Sequence, residues 1–429
     1  MDLDVLLLTV GLLAAVVAAL SKKLRRLPLS EPLLALVAGG ALGASATGVL
    51  SLPTLIRDPA VLHEAGRLLL AVSVMGVALR YPWRDVRRRL AAVSVLLLVA
   101  MPAMAVVSAA LGGWILGLPV AAAALLGAAV APTDPVLASS VVTGEEAERD
   151  IPAKDRELLS LESGANDGLA LPLVLAAVAI AGPLTARDAV VESLWQVLGA
   201  VALGVLLGWL GGRMLLLGEE HGAAEHAPAL LFTVVLALGV MGASGLLKVD
   251  GVLAVFVAGL AFSLTSTGAE RTAELQLDEA VNRFAVLPVF ALLGAMIPWA
   301  AWRDLGWRGA ALVVAVLMLR RLPVVLALAR PLGLRLRDAV YLGWFGPVGV
   351  SAVFYLTLEA ERLSVPENVL AAGSLLVVAS TVAHGLSSSP GRALYRRAAR
   401  RGVDGSPTRR VSTGSTTEMG IGDASAGQR

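Results

Sequence analysis

Two segments of this 429-residue chain place chemically active side chains inside long apolar runs. In the first, Pro132 and Pro135 flank Thr133 and Asp134, and proline breaks a helix by removing a backbone donor. Unpaired backbone groups inside an apolar layer are tolerated only where protein buries them or where they line a watery cavity. The freed carbonyls, with Thr133 and Asp134, offer hard oxygen ligands for a small cation. The alternative is a kink in which Asp134 only caps the second half-helix.

The second segment carries four oxygen-bearing side chains on one predicted helix. Glu162 and Asn166 are i,i+4 neighbours, and so are Ser163 and Asp167, which gives two adjoining polar stripes. A bare carboxylate deep in an apolar run is expensive, so either a proton or a cation must neutralise Asp167. The alternative is that Asp167 is a satisfied structural group.

Two adjacent arginines, Arg320 and Arg321, lie well inside another apolar run. An unpaired arginine there is costly, so a carboxylate partner is expected. Glu162 is the expected partner of one, and Asp134 is a candidate for the other. Snorkelling of the side chains to an interface is the alternative.

Composition sets the class of protein. Hydrophobic residues make up 57% of the chain and charged residues 16%, against roughly 45–50% and 25% in soluble domains. This excess of apolar residues argues against a soluble enzyme, a nucleic-acid-binding protein and a disordered chain. Cysteine is absent, which excludes disulfides and thiolate metal sites. The acidic start of the chain lacks a basic signal-peptide region, so the first apolar run is expected to be a retained span.

The apolar runs predict an all-α polytopic membrane protein with about 13 transmembrane helices. The predicted spans are 3–20, 31–50, 60–79, 90–111, 119–141, 157–181, 191–217, 228–247, 249–265, 283–301, 309–329, 338–358 and 366–386. Residues 1–390 are expected to form the membrane domain, with a core around 119–181 and 309–358. Residues 391–429 are expected to form a basic and then disordered cytoplasmic tail.

The distribution of positive charge predicts the orientation. If the loop at 21–30 is inside, alternating spans place 26 of the 35 Lys and Arg residues on the inner side and seven on the outer side. An excess of Lys and Arg in cytoplasmic loops is what insertion favours. The N-terminus is therefore predicted outside and the C-terminus in the cytoplasm.

Spans five and twelve are both interrupted, span twelve by Gly and Pro within 343–349. If span seven is a linker, the remaining spans form two six-helix halves, each with a broken fifth helix. Paired interruptions at matching positions indicate a transport site between inverted repeats.

The sharp motifs of the chain occupy a few short patches. These are Thr133–Ala138, Glu162–Gly168, Arg320–Val325 and Trp344–Val350. Together they resemble the monovalent cation:proton antiporter-1 family of the sodium/proton exchanger superfamily. The resemblance is strongest to the fungal plasma-membrane alkali-cation/proton antiporters and their bacterial relatives, and it spans about 1–390.

The resemblance implies an ion site. Asp167 would bind a cation or a proton in turn, with Asn166 supporting it. Ser163 and Thr133 would help to coordinate the alkali cation, Thr133 through its backbone in one version. A single titratable group paired with Asn166 would give exchange of one cation for one proton.

The resemblance also implies supporting roles. Asp134 would neutralise helix ends where spans five and twelve cross, and Glu162 would form an ion pair with Arg320 or Arg321. Many relatives carry an acidic residue late in span three, where this chain has Ala78 and its neighbours. This departure bears on ion choice and affinity, not on the transport class.

The expected function is therefore secondary antiport of Na⁺, with Li⁺ and K⁺ left open, for H⁺ in pH homeostasis. Such a protein is a transporter rather than an enzyme, needs no cofactor, acts in the cell membrane and, by resemblance, forms a homodimer without a nucleic-acid partner. A cation channel of the same architecture is one alternative. An intramembrane aspartyl protease using Asp134 and Asp167 is another, although neither residue lies in the Gly-x-Gly-Asp pattern of such proteases.

Overall fold

The apolar runs fold as helices in the computed structural model. The structure describes residues 2–20, 30–44, 46–221, 226–264 and 283–404. Across these ranges the only β-type pairing is one isolated bridge between Gly43 and Leu50. The prediction of an all-α protein is confirmed.

The described helices, numbered in chain order, fall in the predicted spans and the segments between them. They are α1 Asp2–Ala19, α2 Glu31–Leu42, α3 Ala60–Arg80, α4 Trp83–Val95, a π-helical turn Leu96–Ala100, α5 Met101–Leu116, α6 Val120–Ala129, α7 Pro135–Val142, α8 Gly144–Asp150, α9 Ala153–Leu169, α10 Leu171–Ala181, α11 Ala186–Glu220, α12 His226–Leu247, α13 Gly251–Phe262, α14 Arg283–Ala295, α15 Trp299–Leu319, α16 Leu322–Ala327, α17 Leu336–Trp344, α18 Val350–Arg362 and α19 Glu367–Asp404.

Length and composition make seven of the described helices or helix pairs able to cross a membrane, and five shorter ones are also apolar. A bilayer core needs about 20 apolar residues, which two short helices joined in line can also supply. The number of crossings and the inverted repeat remain predictions.

The last helix is longer than its predicted span. α19 continues to Asp404, so residues 391–404, expected as part of a tail, are helical. The remainder of the predicted tail and the basic residues of 21–29 lie outside the described residues.

Small residues let helices approach closely. α11 and α13 form one such contact, in which a Cβ atom on Gly204 or Gly208 would collide with the backbone of Ala254 or Ala258. Such small-xxx-small spacing is typical of helix pairs packed in membranes, where van der Waals contact replaces the hydrophobic effect.

α9, which carries the second polar segment, lies inside the bundle: its residues 158–168 are all buried.

Candidate ion-binding site

Two interrupted helices meet at the centre of the site. α6 ends at Ala129 and α7 begins at Pro135, while α17 ends at Trp344 and α18 begins at Val350. The two breaks contact each other directly, because the backbone N–H of Asp134 donates to the carbonyl of Pro347 at 3.0 Å. The interruptions expected in spans five and twelve are thus helix breaks that lie against one another.

Asp134 joins the beginnings of both half-helices. Its Oδ1 accepts hydrogen bonds from the N–H groups of Val136 at 2.7 Å and Leu137 at 3.0 Å, and its Oδ2 accepts from Val350. A helix start exposes unpaired N–H groups and a partial positive charge, which a carboxylate satisfies. Gly349 permits this approach, because a Cβ atom there would collide with Asp134. Asp134 therefore caps α7, and the same carboxylate also accepts from the start of α18, so it does more than cap the second half-helix.

Arg320 joins the opposite ends of the breaks. Its guanidinium donates to the carbonyls of Val130 at 2.6 Å, Ala131 at 3.0 Å and Pro132 at 3.3 Å, and to that of Gly346. These are carbonyls left unpaired after α6 and α17, where the helix dipole is negative. The expectation that each arginine has a carboxylate partner is wrong for Arg320 among the described residues, because backbone oxygens take that place.

Arg321 forms the ion pair predicted for one of the two arginines. Its Nη1 and Nη2 lie 2.7 and 2.9 Å from the two carboxylate oxygens of Glu162, and its Nε donates to the carbonyl of Leu342 at 3.0 Å. Both side chains are almost fully buried. The forked geometry is the strong form of an arginine–carboxylate pair. The ion pair connects α9 with the segment between α15 and α16.

A polar network connects α9 to the first break. The Nδ2 group of Asn166 donates to Thr133 Oγ1 at 2.7 Å and to Glu162 Oε1 at 3.0 Å. Thr133 Oγ1 also lies 3.2 Å from the hydroxyl of Ser163. The backbone N–H of Thr133 donates to Asn166 Oδ1 at 3.3 Å. The structure therefore brings the predicted ligands Thr133, Ser163 and Asn166 together on one side of the break.

Asp167 lies beside this network without belonging to it. Its carboxylate is fully buried, and neither oxygen has a hydrogen-bond partner among the described residues. Ser351, at the start of α18, lies near the carboxylate, and its side chain is also buried. Buried polar atoms are normally satisfied, so the carboxylate of Asp167 is suited to hold a proton or a cation.

Sequence reasoning missed two residues of α18. Ser351 faces Asp167, and the hydroxyl of Tyr355 donates to the backbone carbonyl of Asp167. The i,i+4 spacing of Ser351 and Tyr355 is the signal that was available, because it places both on one face. Two polar residues of α19 were also missed: Ser380 accepts from the N–H of Val348, and His384 Nε2 lies 2.8 Å from the carbonyl of Trp344.

The late part of α3 does not supply a ligand. Ala78 is fully buried against α13, where a Cβ atom on Gly259 would lie 2.6 Å from its side chain. The late part of α3 is thus used for helix packing at Ala78.

The arrangement can therefore bind one small positive charge. Asp167 supplies an unpaired carboxylate, and the hydroxyls of Ser351, Ser163 and Thr133 lie on the segments around it. Carboxylate and hydroxyl oxygens suit hard cations, and the same carboxylate can bind a proton instead. The fold and the site together define a helical membrane protein with a candidate cation-binding site where two broken helices contact each other.

Comparison with known proteins identifies the family. Residues 11–391 match the model of the family described as "Sodium/hydrogen exchanger, transmembrane". The chain belongs to this family, and the resemblance drawn from the motifs is confirmed.

Several named relatives are similar in sequence. The chain is 34% identical to Na(+)/H(+) antiporter 2 of Zygosaccharomyces rouxii, over 70% of this chain and 39% of that protein. It is 34% identical to the Na(+)/H(+) antiporter of Saccharomyces cerevisiae, over 70% of this chain and 32% of that protein. It is 26% identical to the K(+)/H(+) antiporter NhaP2 of Shewanella sp. strain MR-4, over 78% and 57% of the two chains. The matched region thus spans about a third of each yeast relative.

A solved structure shares the fold. The sodium proton antiporter MjNhaP1 of Methanocaldococcus jannaschii superimposes with a TM-score of 0.76 at 18% identity, covering 92% of this chain and 98% of that one. Its structure at pH 8 gives a TM-score of 0.72 at 17% identity. The polytopic helical architecture predicted from the apolar runs is confirmed.

Proposed function

We propose that this chain is a secondary antiporter that exchanges Na⁺ for H⁺ by competition of the two ions for Asp167. The observation that carries the proposal is the buried carboxylate of Asp167 without a hydrogen-bond partner in the described part of the chain. The yeast relatives and the archaeal structure are named sodium–proton antiporters, which supports the same reading.

The cycle needs one site with alternating access. Asp167 takes a proton from the outer solution, the core moves, and the proton leaves to the cytoplasm. A cytoplasmic cation then binds the same carboxylate and is carried outward. Since one carboxylate cannot hold both ions at once, each crossing carries one or the other, and the two fluxes are coupled.

The charges around the crossing suit such movement. Asp134 and Arg320 satisfy the broken ends of α6, α7, α17 and α18 with fixed protein groups. The crossing then needs no ion of its own to remain folded, so the cation can leave Asp167 without exposing unpaired backbone groups.

The oxygen ligands of the proposed site suit several alkali cations, and a transport assay can compare these cations. Hydroxyl and carboxylate oxygens accept Na⁺, Li⁺ or K⁺, and relatives named for Na⁺ and for K⁺ both match this chain. We propose Na⁺ as the main substrate, with Li⁺ and K⁺ as candidates for weaker transport.

The membrane, the orientation of the chain and its oligomeric state are part of the same proposal. The protein acts in the cell membrane, with its N-terminus outside and its C-terminus in the cytoplasm, because Lys and Arg concentrate on the inner side. α1 and α11 expose leucines to the surroundings, including Leu7 and Leu198. Such surfaces suit lipid or a second copy of the chain, and a homodimer is proposed by resemblance to the family.

The test is Asp167→Asn in everted membrane vesicles, with a pH-sensitive dye reporting proton release when Na⁺, Li⁺ or K⁺ is added. Exchange is expected in the unmodified protein and absent in the variant. Asp85→Asn, a carboxylate-to-amide change at the start of α4, should leave exchange intact. Undiminished exchange by Asp167→Asn would overturn the proposal.

A second arm separates an antiporter from a channel. An imposed proton gradient should drive Na⁺ against its own gradient, which a channel cannot do. The Na⁺ concentration that gives half-maximal exchange should also rise as the pH falls, because protons and Na⁺ compete for one group.

A further inference from the structure

A second carboxylate inside the bundle has no role in the site described above. Glu359 lies on α18, one helical turn before the helix ends at Arg362. Its side chain is fully buried, and neither carboxylate oxygen has a hydrogen-bond partner among the described residues. Glu162 and Asp134 differ from Glu359, since Glu162 is paired and Asp134 caps two helices.

Among the described residues, no side chain forms a hydrogen bond or an ion pair with Glu359. α18 packs on α3, α6, α10 and α19, and neither α6 nor α10 contains a titratable side chain. Along the predicted outer halves of α3 and α19, the titratable or charged residues are His63, Glu64, Arg67 and Glu367. His63 is directed elsewhere, because its Nδ1 lies 2.9 Å from the Thr357 hydroxyl and its ring stacks on Phe354.

We expect a carboxyl group in these surroundings to be neutral and to carry a proton. An ionised carboxylate without a partner costs far more inside an apolar bundle than in water. A purely structural role would be better filled by an apolar side chain, since even a neutral carboxyl group loses its hydrogen bonds to water on burial. The orphaned group therefore indicates a second arrangement in which it meets solvent.

The position of Glu359 connects the predicted outer end of α18 with Asp167. Glu359 is four residues from Tyr355, which places the two side chains on one face about 6 Å apart along the axis. The hydroxyl of Tyr355 donates to the backbone carbonyl of Asp167. Glu359 therefore lies one turn outward from a residue that touches the ion-binding aspartate.

A cavity lies beside α18 near Tyr355. Its volume is about 150 Å³, and it is lined by Tyr355, Leu358 and Arg362 of this helix. At 100° per residue, Glu359 is about 40° from Tyr355 and 60° from Arg362 around the axis. A rotation of α18 of that size brings Glu359 to the cavity wall.

We infer that Glu359 is a second proton-binding residue of the transport path, which loads protons from the outer solution for delivery to Asp167. The inference rests on the proposed antiport function. In the step, hydronium gives its proton to the Glu359 carboxylate and becomes water. The carboxylic acid then releases that proton to the Asp167 carboxylate, and Glu359 returns to its starting charge.

The experiment compares Glu359→Gln with Glu361→Gln. Glu361 lies two residues further along α18, and its side chain is 45% exposed. Right-side-out and everted vesicles allow the pH of each face to be varied while the other is buffered. Glu359→Gln should move the outer pH for half-maximal exchange by at least one unit toward acid. Its cytoplasmic pH dependence and half-saturating Na⁺ concentration should stay unchanged, and Glu361→Gln should match the unmodified protein.

Two further variants keep the test decisive. Glu359→Leu should fold at least as stably as the unmodified protein and show the same outer pH shift, because it also lacks the proton-binding group. Glu359→Asp should restore part of the outer pH dependence. Unmodified outer pH profiles in both the Gln and Leu variants would overturn this inference while leaving antiport through Asp167 intact. Equal shifts on both faces, with altered Na⁺ affinity, would also overturn it. Exchange that persists in Asp167→Asn would instead overturn the function on which it rests.

Discussion

Glu162 and Asp167 lie on the same helix, five residues apart and equally buried, yet their surroundings are opposite. Glu162 receives two hydrogen bonds from Arg321 and one each from Asn166 and Thr133. Neither oxygen of Asp167 has a hydrogen-bond partner among the described residues. One carboxylate is bound by neighbouring side chains, and the other is left available.

This difference in pairing predicts that one carboxylate serves stability and the other serves transport. A buried ion pair becomes very costly when one partner is removed, because the other charge is then uncompensated. An unpaired carboxyl group is already a cost to the folded state, so changing it removes no favourable contact. Glu162 is thus expected to matter for folding, and Asp167 for ion exchange with little effect on folding.

The largest expected effect on stability comes from breaking the ion pair. Arg321→Leu leaves Glu162 without its partner and should lower the free energy of unfolding by about 3–5 kcal/mol. Thermal unfolding in detergent measures the loss. The double variant Glu162→Leu with Arg321→Leu should recover most of it, and a double variant as unstable as the single one would show that the pair is not the source.

Asp167→Asn provides the other half of the comparison. The amide is nearly the same size and is not ionisable, so we expect an unfolding temperature equal to or higher than that of the unmodified protein. The same preparation should have lost cation–proton exchange. A large drop in the unfolding temperature would mean that Asp167 is bound within the fold and would remove the contrast with Glu162.

Asp134 should lie between these extremes. It caps α7 through Val136 and Leu137 and also accepts from Val350 of α18. Asp134→Ala should cost about 2 kcal/mol, since loss of one cap is worth about 1 kcal/mol and two helix starts are affected. Asp134→Asn keeps an acceptor oxygen and should cost less. Equal losses in the two variants would show that the charge, rather than the cap, stabilises the crossing.

The sequence predicted the helical class, the two breaks and the eight polar residues around them. It could not assign the two arginines, because adjacent residues on a helix differ by about 100° in direction and either can face a partner. The structure ends α15 at Leu319 and begins α16 at Leu322. Arg320 therefore points to the carbonyls of the crossing and Arg321 to Glu162.

Contacts between distant segments were also beyond the sequence. Ser351 and Tyr355 matter because α18 lies against Asp167, a pairing that depends on how the two breaks cross. Glu359 lies one turn from a helix end, where a polar residue is expected at the membrane interface. Only the folded structure shows that it is buried.

A smaller effect is expected at Tyr355. Tyr355→Phe removes the hydroxyl that donates to the carbonyl of Asp167 and keeps the ring. The loss should be about 1 kcal/mol, the usual net value of one hydrogen bond. Thermal unfolding again gives the stability, and a shift in the half-saturating Na⁺ concentration would show that this contact also positions Asp167. An unchanged unfolding temperature would mean that the hydrogen bond adds nothing to the folded state.

The smallest effect belongs to a charge pair at the predicted cytoplasmic surface. Burial alone would raise the pKa of Asp150, but Arg149 and Arg396 outweigh it and hold this pKa below its ordinary value. A lowered folded-state pKa stabilises the protein above the ordinary aspartate pKa of about 3.9, and this stabilisation disappears as the pH falls through the folded-state pKa. Because Arg149 and Arg396 are 63% and 40% exposed, solvent screening limits the contribution to about 1 kcal/mol or less. Asp150→Asn should therefore lower the unfolding temperature slightly at pH 7, and the difference from the unmodified protein should shrink as the pH falls below the ordinary aspartate pKa. A loss at pH 7 as large as that of Arg321→Leu would show that surface pairs, and not the buried pair of Glu162, dominate the stability of this protein.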